Sequence, residues 1–356
     1  MNHTDLFIGA IGVAVPPNIT TQKDAETFLM KHFKGVLNAK SIDVIHKVFI
    51  HPSVRQRHFA FDDPMVLVQE DPDKRMERFR HWAVRLSSEA ITHALESAGL
   101  TAKDISALVV NTCTGYLCPG ISTYLLEALG FPKRTKVYDL AGSGCSGAIP
   151  NIDVCQGLLN ASSDANKIVI SVSVEICSCT FQMGDDVSLL ISNAIFADGA
   201  AAAVVWKRPS GLKLISSHSY YAPEHREDIR YIYRHGQLHN KLSIRLPGVV
   251  AQAVDTVVKD LLKSQDIRVD GVDYWVLHPG GERVIDAIRK VVGLSDDKIT
   301  YTHRVLEEYG NMSSPTVWFI LRELQKSGIT SGKRMVIVAF GAGLSAQALL
   351  LQTQGS

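Results

Sequence analysis

The amino-acid sequence repeats part of itself at a separation of 167 residues. The run Ala-Leu-Val-Val-Asn at 107–111 corresponds to Tyr-Trp-Val-Leu-His at 274–278, and Lys-Ile-Val-Ile at 167–170 corresponds to Arg-Met-Val-Ile at 334–337. Two separate segments with the same offset indicate an internal duplication. Since these short apolar, β-branched runs are typical of buried strands, the duplicated unit is expected to be of the α/β class.

The duplication predicts two similar halves, which we place at residues 1–210 and 211–356. Within the first half, residues 20–98 are expected to be a mostly helical insertion that ends in a long amphipathic helix over 82–98. The chain has 356 residues, and 46% of them are hydrophobic, so it can bury two large cores.

The predicted elements alternate between the two types in both halves. Strands are predicted over 5–15, 105–112, 137–140, 167–174, 200–205, 272–277, 334–340 and 346–352. Helices are predicted over 121–129, 247–263, 282–292 and 313–327.

The first candidate for chemistry is Cys145, in the stretch Asp-Leu-Ala-Gly-Ser-Gly-Cys-Ser-Gly-Ala-Ile at 139–149. This stretch follows a predicted strand and opens a helix, and its glycines allow a tight turn and close approach of a ligand. A helix N-terminus favours a thiolate over a thiol. One interpretation is a cysteine nucleophile for acyl transfer, and the other is a buried, inert cysteine.

His278 and Asn311 are the next candidates, because the 167-residue offset carries Asn111 to His278 and Cys145 to the neighbour of Asn311. All three candidates would then lie at the ends of equivalent elements, where open α/β folds place their sites. His278 could take the thiol proton or hold Cys145 as an ion pair. His278 and Asn311 could both donate to a thioester oxygen as it becomes an enolate. Structural roles also remain open for both residues. His278 could be a core histidine whose hydrogen bonds are satisfied within the protein, and Asn311 could serve only to form a turn.

Composition limits the partners and the compartment. The net charge is +1, so neither nucleic acid nor an anionic membrane is expected as a partner. The six cysteines have no framework spacing and no secretory segment precedes them, which predicts free thiols and a cytoplasmic location. Cys177 and Cys179 are a lone pair, so no metal site is expected. A basic cluster containing Lys47, Arg55 and Arg57 is either a phosphate contact or a solvated face.

Two other enzyme classes fit the glycine-rich stretch less well. Gly142, Gly144 and Gly147 match the spacing of a dinucleotide-binding turn, but the next strand ends at Glu175, later than the acidic residue of that motif. A serine hydrolase is excluded because no Gly-x-Ser-x-Gly sequence surrounds Ser143 or Ser146.

Five segments together resemble the type III polyketide synthases, the family of the chalcone and stilbene synthases, over about residues 80–352. They are Gly-Cys-Ser-Gly-Ala at 144–148, Phe-Ala-Asp-Gly-Ala-Ala-Ala at 196–202, Val-Leu-His-Pro-Gly-Gly at 276–281, Tyr-Gly-Asn-Met-Ser-Ser at 309–314 and Phe-Gly-Ala-Gly-Leu-Ser at 340–345. The resemblance implies a thiolase fold with two pseudo-symmetric αβαβα halves in five layers, a homodimer, and malonyl-CoA and acyl-CoA as substrates without a cofactor.

The resemblance also implies roles for individual residues. Cys145, His278 and Asn311 would form the catalytic triad, and Phe196 would be the gatekeeper between the CoA tunnel and the cavity. The cavity would be lined by Cys113, Cys177, Thr180, Ser192 and Ile244, with Ser313, Gly341 and Gly343 close to the triad. Coenzyme A would contact Lys47, Arg55, Arg57, Gly280, Gly281 and Arg283. Cys118 corresponds to a methionine that, in plant members, reaches into the partner subunit.

Four cavity positions differ from those of plant chalcone synthases. Cys113 and Cys177 stand where threonine is usual, Ser192 stands for glycine and Ile244 for phenylalanine. These differences predict a bacterial-type enzyme whose product is a pyrone, a resorcinol or a polyhydroxylated aromatic. The alternatives are a ketoacyl-carrier-protein synthase III-like acyltransferase, which would use a carrier-protein thioester, and a catalytically silent partner subunit.

Overall fold

A computed structural model describes residues 5–234 and 236–354. The strands in this part of the chain are β1 (Leu6–Ala14), β2 (Ile19–Thr21), β3 (Gln56–His58), β4 (Ala107–Asn111), β5 (Lys136–Leu140), β6 (Ile168–Ile176), β7 (Asp198–Trp206), β8 (Leu212–Tyr221), β9 (Ile229–Arg234), β10 (Gln237–Leu242), β11 (Tyr274–Leu277), β12 (Arg334–Gly341) and β13 (Ser345–Thr353). The helices are α1 (Gln22–Phe33), α2 (Ala39–Phe49), α3 (Pro72–Ala98), α4 (Ile121–Ala128), α5 (Ala148–Asn160), α6 (Val187–Ile195), α7 (Leu246–Ser264), α8 (Glu282–Val292), α9 (Thr300–Tyr309) and α10 (Thr316–Lys326).

Nine strands form one mixed sheet in the order β11-β12-β13-β8-β1-β7-β6-β4-β5. The strands β4-β6-β7-β1 and β11-β12-β13-β8 repeat the same pattern, a parallel pair followed by two antiparallel pairs. The two sets meet where β1 and β8 pair antiparallel. This topology confirms the prediction of two similar α/β halves, and the division expected at residue 210 falls between β7 and β8.

Helices cover both faces of each half and produce five layers. The helices α5 and α10 lie in the middle, because each packs against strands of both halves. Their fully buried side chains, such as Ile152 and Trp318, share one core with Val109 of β4 and Ile337 of β12. The outer layers are formed by α3 on the first half and by α7 with α8 on the second. Each half therefore buries both faces of its strands, which explains their continuous apolar runs.

The insertion over residues 20–98 differs from the prediction in two ways. It is not only helical, because β2 and β3 pair antiparallel within it. Its last helix, α3, also begins ten residues earlier than the predicted residue 82, at Pro72. The Asp71 side chain accepts hydrogen bonds from the backbone N–H groups of Asp73 and Lys74, and capping of this kind stabilises a helix start even in a charged, exposed segment. The helix ends at Gly99 in the left-handed conformation (φ 63°).

A hairpin that was not predicted, β9–β10, closes over the first half. Its residues Tyr231 and Asn240 are directly opposite each other. Many of its side chains are polar, and a strand with so little apolar alternation leaves no clear periodic signal in the sequence. Among the described residues, no helix is long and apolar enough to cross a lipid bilayer.

Candidate active site

Cys145 lies in a tight turn between β5 and α5, at the contact between the two halves of the molecule. Residues 144–146 form one 3-10 turn directly before α5, and the cysteine side chain is buried, with 8% of its surface exposed. The hydroxyl of Ser146 donates to the carbonyl oxygen of Ser143 over 2.8 Å and contacts the Ser345 hydroxyl at 2.9 Å. Ser345 begins β13, so the second half holds the turn that carries the cysteine of the first.

Gly341, at the end of β12, allows this close approach. A Cβ atom on Gly341 would lie 2.2 Å from the carbonyl oxygen of Ser143 and 3.0 Å from the backbone nitrogen of Cys145. We expect Gly341→Ala to lower the free energy of unfolding by about 3 kcal/mol, because backbone atoms on both sides must shift. Urea denaturation followed by circular dichroism measures this loss.

Gly157→Ala is the matched control, since Gly157 lies within α5 and its Cβ would meet no atom within 4 Å. Alanine should stabilise that helix by about 0.5–1 kcal/mol. Equal stability of the Gly341→Ala variant and the wild type would contradict the packing described for the Cys145 turn.

Asn311 is connected to Cys145 through Ser313. The backbone N–H of Ser313 donates to Asn311 Oδ1 over 2.8 Å, which leaves the amide NH₂ of Asn311 as its donor end. Ser313 has a left-handed backbone (φ 58°), and its hydroxyl donates to the sulfur of Cys145 over 3.2 Å. A non-glycine residue with positive φ is strained, and such strain is concentrated at functional sites. The strained turn therefore brings the ends of α9 and α10 to the cysteine.

His278 follows β11 and is fully buried. Neither of its ring nitrogens has a hydrogen-bond partner among the described residues. The ring of Phe340 packs edge-on against the imidazole, with 5.1 Å between the ring centres. Phe340 directly precedes Gly341, so the histidine lies beside the Cys145 turn. Since buried polar groups are normally paired, the free nitrogens indicate a group made to contact a ligand rather than a satisfied core histidine.

The electrostatics of the site favour neutral side chains. Burial lowers the pKa of His278 to about 3. Burial also raises the pKa of Cys145 to about 12, against the opposing effect of the hydrogen bond from Ser313. These directions are opposite to those of a thiolate–imidazolium pair, so the expected thiolate at the helix end is not favoured here. The desolvation of the sulfur outweighs the helix dipole, which contributes only about 0.3–2 kcal/mol.

We expect the alkylation rate of Cys145 by iodoacetamide to rise about tenfold per pH unit between about pH 6 and 9. Only the thiolate reacts, and with a pKa near 12 its fraction keeps increasing across this whole range. Mass spectrometry of the peptide that contains Cys145 gives the rate. A plateau that begins below about pH 7 would show an ion pair instead.

Glu175, at the end of β6, has an importance that the sequence analysis missed. Its carboxylate is fully buried and accepts hydrogen bonds from the backbone of Cys113 and the hydroxyls of Thr114 and Ser314, each over 2.9 Å. The Ser313 hydroxyl also lies 3.5 Å away. Burial raises the pKa of Glu175, and these hydrogen bonds counteract that effect. A lone acidic residue within the apolar run 168–176 was the signal that could have revealed it.

Four of the predicted cavity residues line one cavity of about 290 Å³: Cys177, Thr180, Ser192 and Phe196. The rest of its wall is mainly apolar, and its apolar residues come from α1, α2, α6, the segment 59–67 and Phe181, namely Ala25, Phe28, Leu29, Phe49, Phe59, Phe61, Pro64, Leu67, Phe181 and Leu189. Polar residues, among them Arg57 and Asn193, also line it. Cys113 lies nearer to the nucleophile, with its sulfur 3.7 Å from the Ser313 hydroxyl. Gly343 lies two residues after Gly341, in the turn before β13, and has φ 133°.

The prediction that Ile244 lines the cavity is wrong, because 93% of its surface is exposed. It lies in a turn held by the Ser243 N–H bonded to the carbonyl of Asp228 and by the Arg245–Asp228 ion pair, which directs the side chain outward. Two residues of the β9–β10 hairpin lie at the cavity instead. Asn240 lines the cavity, and the Tyr231 hydroxyl lies 3.5 Å from the Thr180 hydroxyl.

The predicted coenzyme A contacts have different environments. Arg57 is 1% exposed and donates to the carbonyl oxygens of Asn193 and Phe196, so its assignment as a phosphate contact is wrong. Arg55 is exposed but paired with Glu307 and Glu308. Lys47 is exposed and forms an ion pair with its helix neighbour Asp43, an interaction worth less than about 1 kcal/mol.

The loop after His278 keeps its predicted place at the site. A Cβ atom on Gly280 would lie 2.5 Å from the Phe340 ring, and Gly281 has φ 113°, so both positions require glycine. Arg283 is exposed in the first turn of α8. Both glycines and Arg283 remain predicted contacts of coenzyme A.

Two family models together match almost the whole chain. The model of FAE1/type III polyketide synthase-like proteins matches residues 16–215, and that of the chalcone and stilbene synthase C-terminal domain matches residues 213–354. The 3,5-dihydroxyphenylacetyl-CoA synthase of Streptomyces toyocaensis is 27% identical, covering 97% of this chain and 93% of its own. The 1,3,6,8-tetrahydroxynaphthalene synthase of Streptomyces coelicolor is 27% identical, covering 94% and 89%.

Two solved structures have the same fold as this chain. PKS-I from the brown alga Ectocarpus siliculosus superposes with a TM-score of 0.90 at 26% identity and covers 99% of both chains. The tetrahydroxynaphthalene synthase structure from Streptomyces coelicolor has a TM-score of 0.89 at 24% identity and shows the same thiolase fold. These matches do not favour the alternative of a carrier-protein-dependent synthase. The chain belongs to the type III polyketide synthase family of acyltransferases.

Proposed function

We propose that this enzyme uses malonyl-CoA as both starter and extender and cyclises the chain to a polyhydroxylated aromatic. The observation that supports this most is the position of Tyr231, whose hydroxyl reaches Thr180 in the cavity. Burial raises the pKa of this phenol, and Cys113 and Cys177 lie close enough to contribute. A neutral phenol beside the cavity cysteines leaves little room for a large starter and offers a hydrogen-bond donor to a polar one. Two relatives are named for polyhydroxylated aromatic products.

The proposed reaction begins with the thiol of Cys145. Its sulfur attacks the thioester carbonyl of malonyl-CoA while the thiol proton is relayed through the His278 ring to the leaving sulfur, so coenzyme A leaves as the thiol and His278 ends the step neutral. A second malonyl-CoA then loses CO₂, and its electron pair forms an enolate whose oxygen accepts hydrogen bonds from His278 and the Asn311 amide. The enolate carbon attacks the acyl group on Cys145, and the sulfur leaves as a thiolate that takes a proton from water, so the lengthened chain is now carried by coenzyme A. Neutral His278 suits the donor role, since its lowered pKa keeps the imidazole uncharged.

The further assignments of this proposal concern binding and assembly. Lys47 and Arg283 are proposed to contact the phosphates of coenzyme A, and no cofactor is required because the residues above supply each step. We also propose a homodimer in the cytoplasm. The sheet edge at β5 and the exposed loop with Cys118 and Tyr116, which is 73% exposed, support an interface there.

Mass spectrometry of the products formed from malonyl-CoA alone tests the proposal. Wild type should form an aromatic product without any added starter. Tyr231→Phe removes only the hydroxyl and should lower this activity by about tenfold, since one hydrogen bond is lost. Tyr231→Ala enlarges the cavity and should accept longer acyl-CoA starters. Wild type that needs an acyl-CoA starter would overturn the proposal.

A second candidate is a synthase that starts from an acyl-CoA and makes an alkyl pyrone or resorcinol. The apolar wall of the 290 Å³ cavity favours it, because that wall could hold a hydrocarbon chain. Starters of graded length in the same assay decide between the two. A product yield that increases with the length of the acyl-CoA starter would favour this candidate over an enzyme that starts from malonyl-CoA alone.

A further inference from the structure

We propose that Arg57 is a positioning residue that holds the gatekeeper Phe196 and the catalytic Asn311 in a single arrangement, a role that rests on the proposed function. The family resemblance assigned Arg57 to the phosphates of coenzyme A. In the structure its guanidinium points into the protein, towards the end of α6.

The acceptors of Arg57 are uncharged oxygens arranged around the guanidinium. Its Nε donates to Gln22 Oε1 over 3.0 Å, and its Nη1 donates to the carbonyl oxygens of Asn193 over 2.7 Å and Phe196 over 2.9 Å. The rings of Phe49 and Phe59 lie 5.7 Å and 4.9 Å from the guanidinium carbon. Burial lowers the pKa of Arg57 to about 9, and the carboxylate of Asp198 opposes that effect, so the group is cationic at neutral pH.

Arg57 and its neighbours satisfy every carbonyl at the end of α6. The last carbonyls of a helix have no partners within the helix, and a cation is favourable there. Arg57 binds those of Asn193 and Phe196, Gln22 Nε2 donates to that of Ala194 over 2.9 Å, and the backbone N–H of Asn311 donates to that of Ile195 over 2.8 Å. The cation thus helps to fix the backbone that carries Phe196.

The same contacts extend to the catalytic asparagine. The backbone N–H of Ala197 donates to the carbonyl of Asn311 over 2.9 Å, so the Phe196 segment and the Asn311 turn are directly bonded. Gly310 has φ 73°, and a Cβ atom there would lie 2.8 Å from the Cγ of Arg57. The aliphatic stem of Arg57 therefore packs against the residue before Asn311, while its head holds Phe196.

The kinetics of Arg57→Lys distinguish positioning from phosphate binding. Lysine keeps the charge and much of the stem but loses the planar fork, so it cannot hold two carbonyls and Gln22 together. We expect kcat for product formation from malonyl-CoA to fall about 100-fold, because small displacements of positioned groups have effects of this size. The KM for malonyl-CoA should stay within about twofold. A phosphate contact would behave in the opposite way, with a raised KM and unchanged kcat.

Gln22→Leu is the second variant, since it leaves Arg57 in place and removes one of its acceptors. It should lower kcat about tenfold at similar KM. Arg268→Met, at a side chain 85% exposed and paired with Asp270, is the matched control and should equal the wild type. Iodoacetamide alkylation of Cys145 at the wild-type rate shows that each variant keeps a folded site.

The outcomes separate this role from the proposed function. Wild type that forms no product contradicts the proposed function, and the Kd for malonyl-CoA, measured by calorimetry, then tests Arg57 without turnover. If the Kd for malonyl-CoA is unchanged in Arg57→Lys, this supports the conclusion that Arg57 does not bind the phosphates. A raised KM or Kd at unchanged kcat, or wild-type kcat in folded Arg57→Lys and Gln22→Leu, overturns the positioning role.

Discussion

Cys145→Ala is expected to form no polyketide, with product formation at least about 10⁴-fold below that of the wild type. The reason is chemical, because the proposed mechanism attaches the growing chain to the sulfur of Cys145, and alanine has no nucleophilic atom to replace it. The Cys145 sulfur accepts a hydrogen bond from the Ser313 hydroxyl over 3.2 Å, and the sulfur of Cys113 lies 3.7 Å from the same hydroxyl. Mass spectrometry of products and of the intact protein, which would lack a bound acyl group, measures both consequences.

The same variant should still decarboxylate malonyl-CoA to acetyl-CoA. That half of the reaction needs donors for the enolate oxygen, a role that we propose for His278 and Asn311, and it needs no sulfur. Cys155→Ala is the matched control, since Cys155 is also buried but lies further along α5 within the central core. It should keep its product spectrum. Polyketide formation by Cys145→Ala would contradict its assignment as nucleophile.

His278→Ala is expected to lose both decarboxylation and condensation, each by about 100- to 1,000-fold, the usual effect of removing one donor from an oxyanion site. The histidine is fully buried, and neither ring nitrogen has a partner in the described part of the chain, so its removal takes away a prepared donor without breaking a hydrogen bond observed there. Release of acetyl-CoA and formation of product are measured in the same reaction by liquid chromatography.

His93→Gln is a suitable control, because His93 is exposed on α3 and bonds only the carbonyl of Val13 among the contacts observed. It should match the wild type in both measurements. If His278→Ala lost condensation but kept full decarboxylation, the histidine would act on the Cys145 thiol alone, and the enolate would depend on Asn311.

The periodic parts of the sequence predicted the fold well. The helix 282–292 was predicted at its observed bounds, and the strands at 107–111 and 334–341 within two residues. The helix has a clear amphipathic pattern with one buried face, and the strands are apolar runs that are buried almost throughout. The repeat offset of 167 equates β4 with β11 in register. The polar hairpin β9–β10 was missed, and with it Tyr231 and Asn240, since alternating polar residues carry little periodic information.

The errors among the site residues have one physical cause. The charge or hydrophobicity of a residue does not reveal whether its side chain points into the protein or out to solvent. Arg57 is basic and was assigned to solvent and phosphate, whereas its three hydrogen bonds, to the side chain of Gln22 and to the carbonyl oxygens of Asn193 and Phe196, hold it inside the protein. Ile244 is apolar and was assigned to the cavity, whereas the turn at 243–245 directs it outward. Glu175 was treated as the end of a strand, whereas it accepts hydrogen bonds from the loop after β4 and from the turn that contains Asn311.

The sequence by itself determined the two-half organisation, the strand–turn–helix position of Cys145 and the family to which its motifs belong, because these depend on local patterns and fixed spacing. Only the tertiary structure decided which groups are neutral, which cations are buried and which side chains meet across the two halves. Desolvation of Cys145 and His278 arises from residues far apart in the chain, packed around them by β12 and α10. Such effects depend on the summed environment of a group in three dimensions, which no linear spacing encodes.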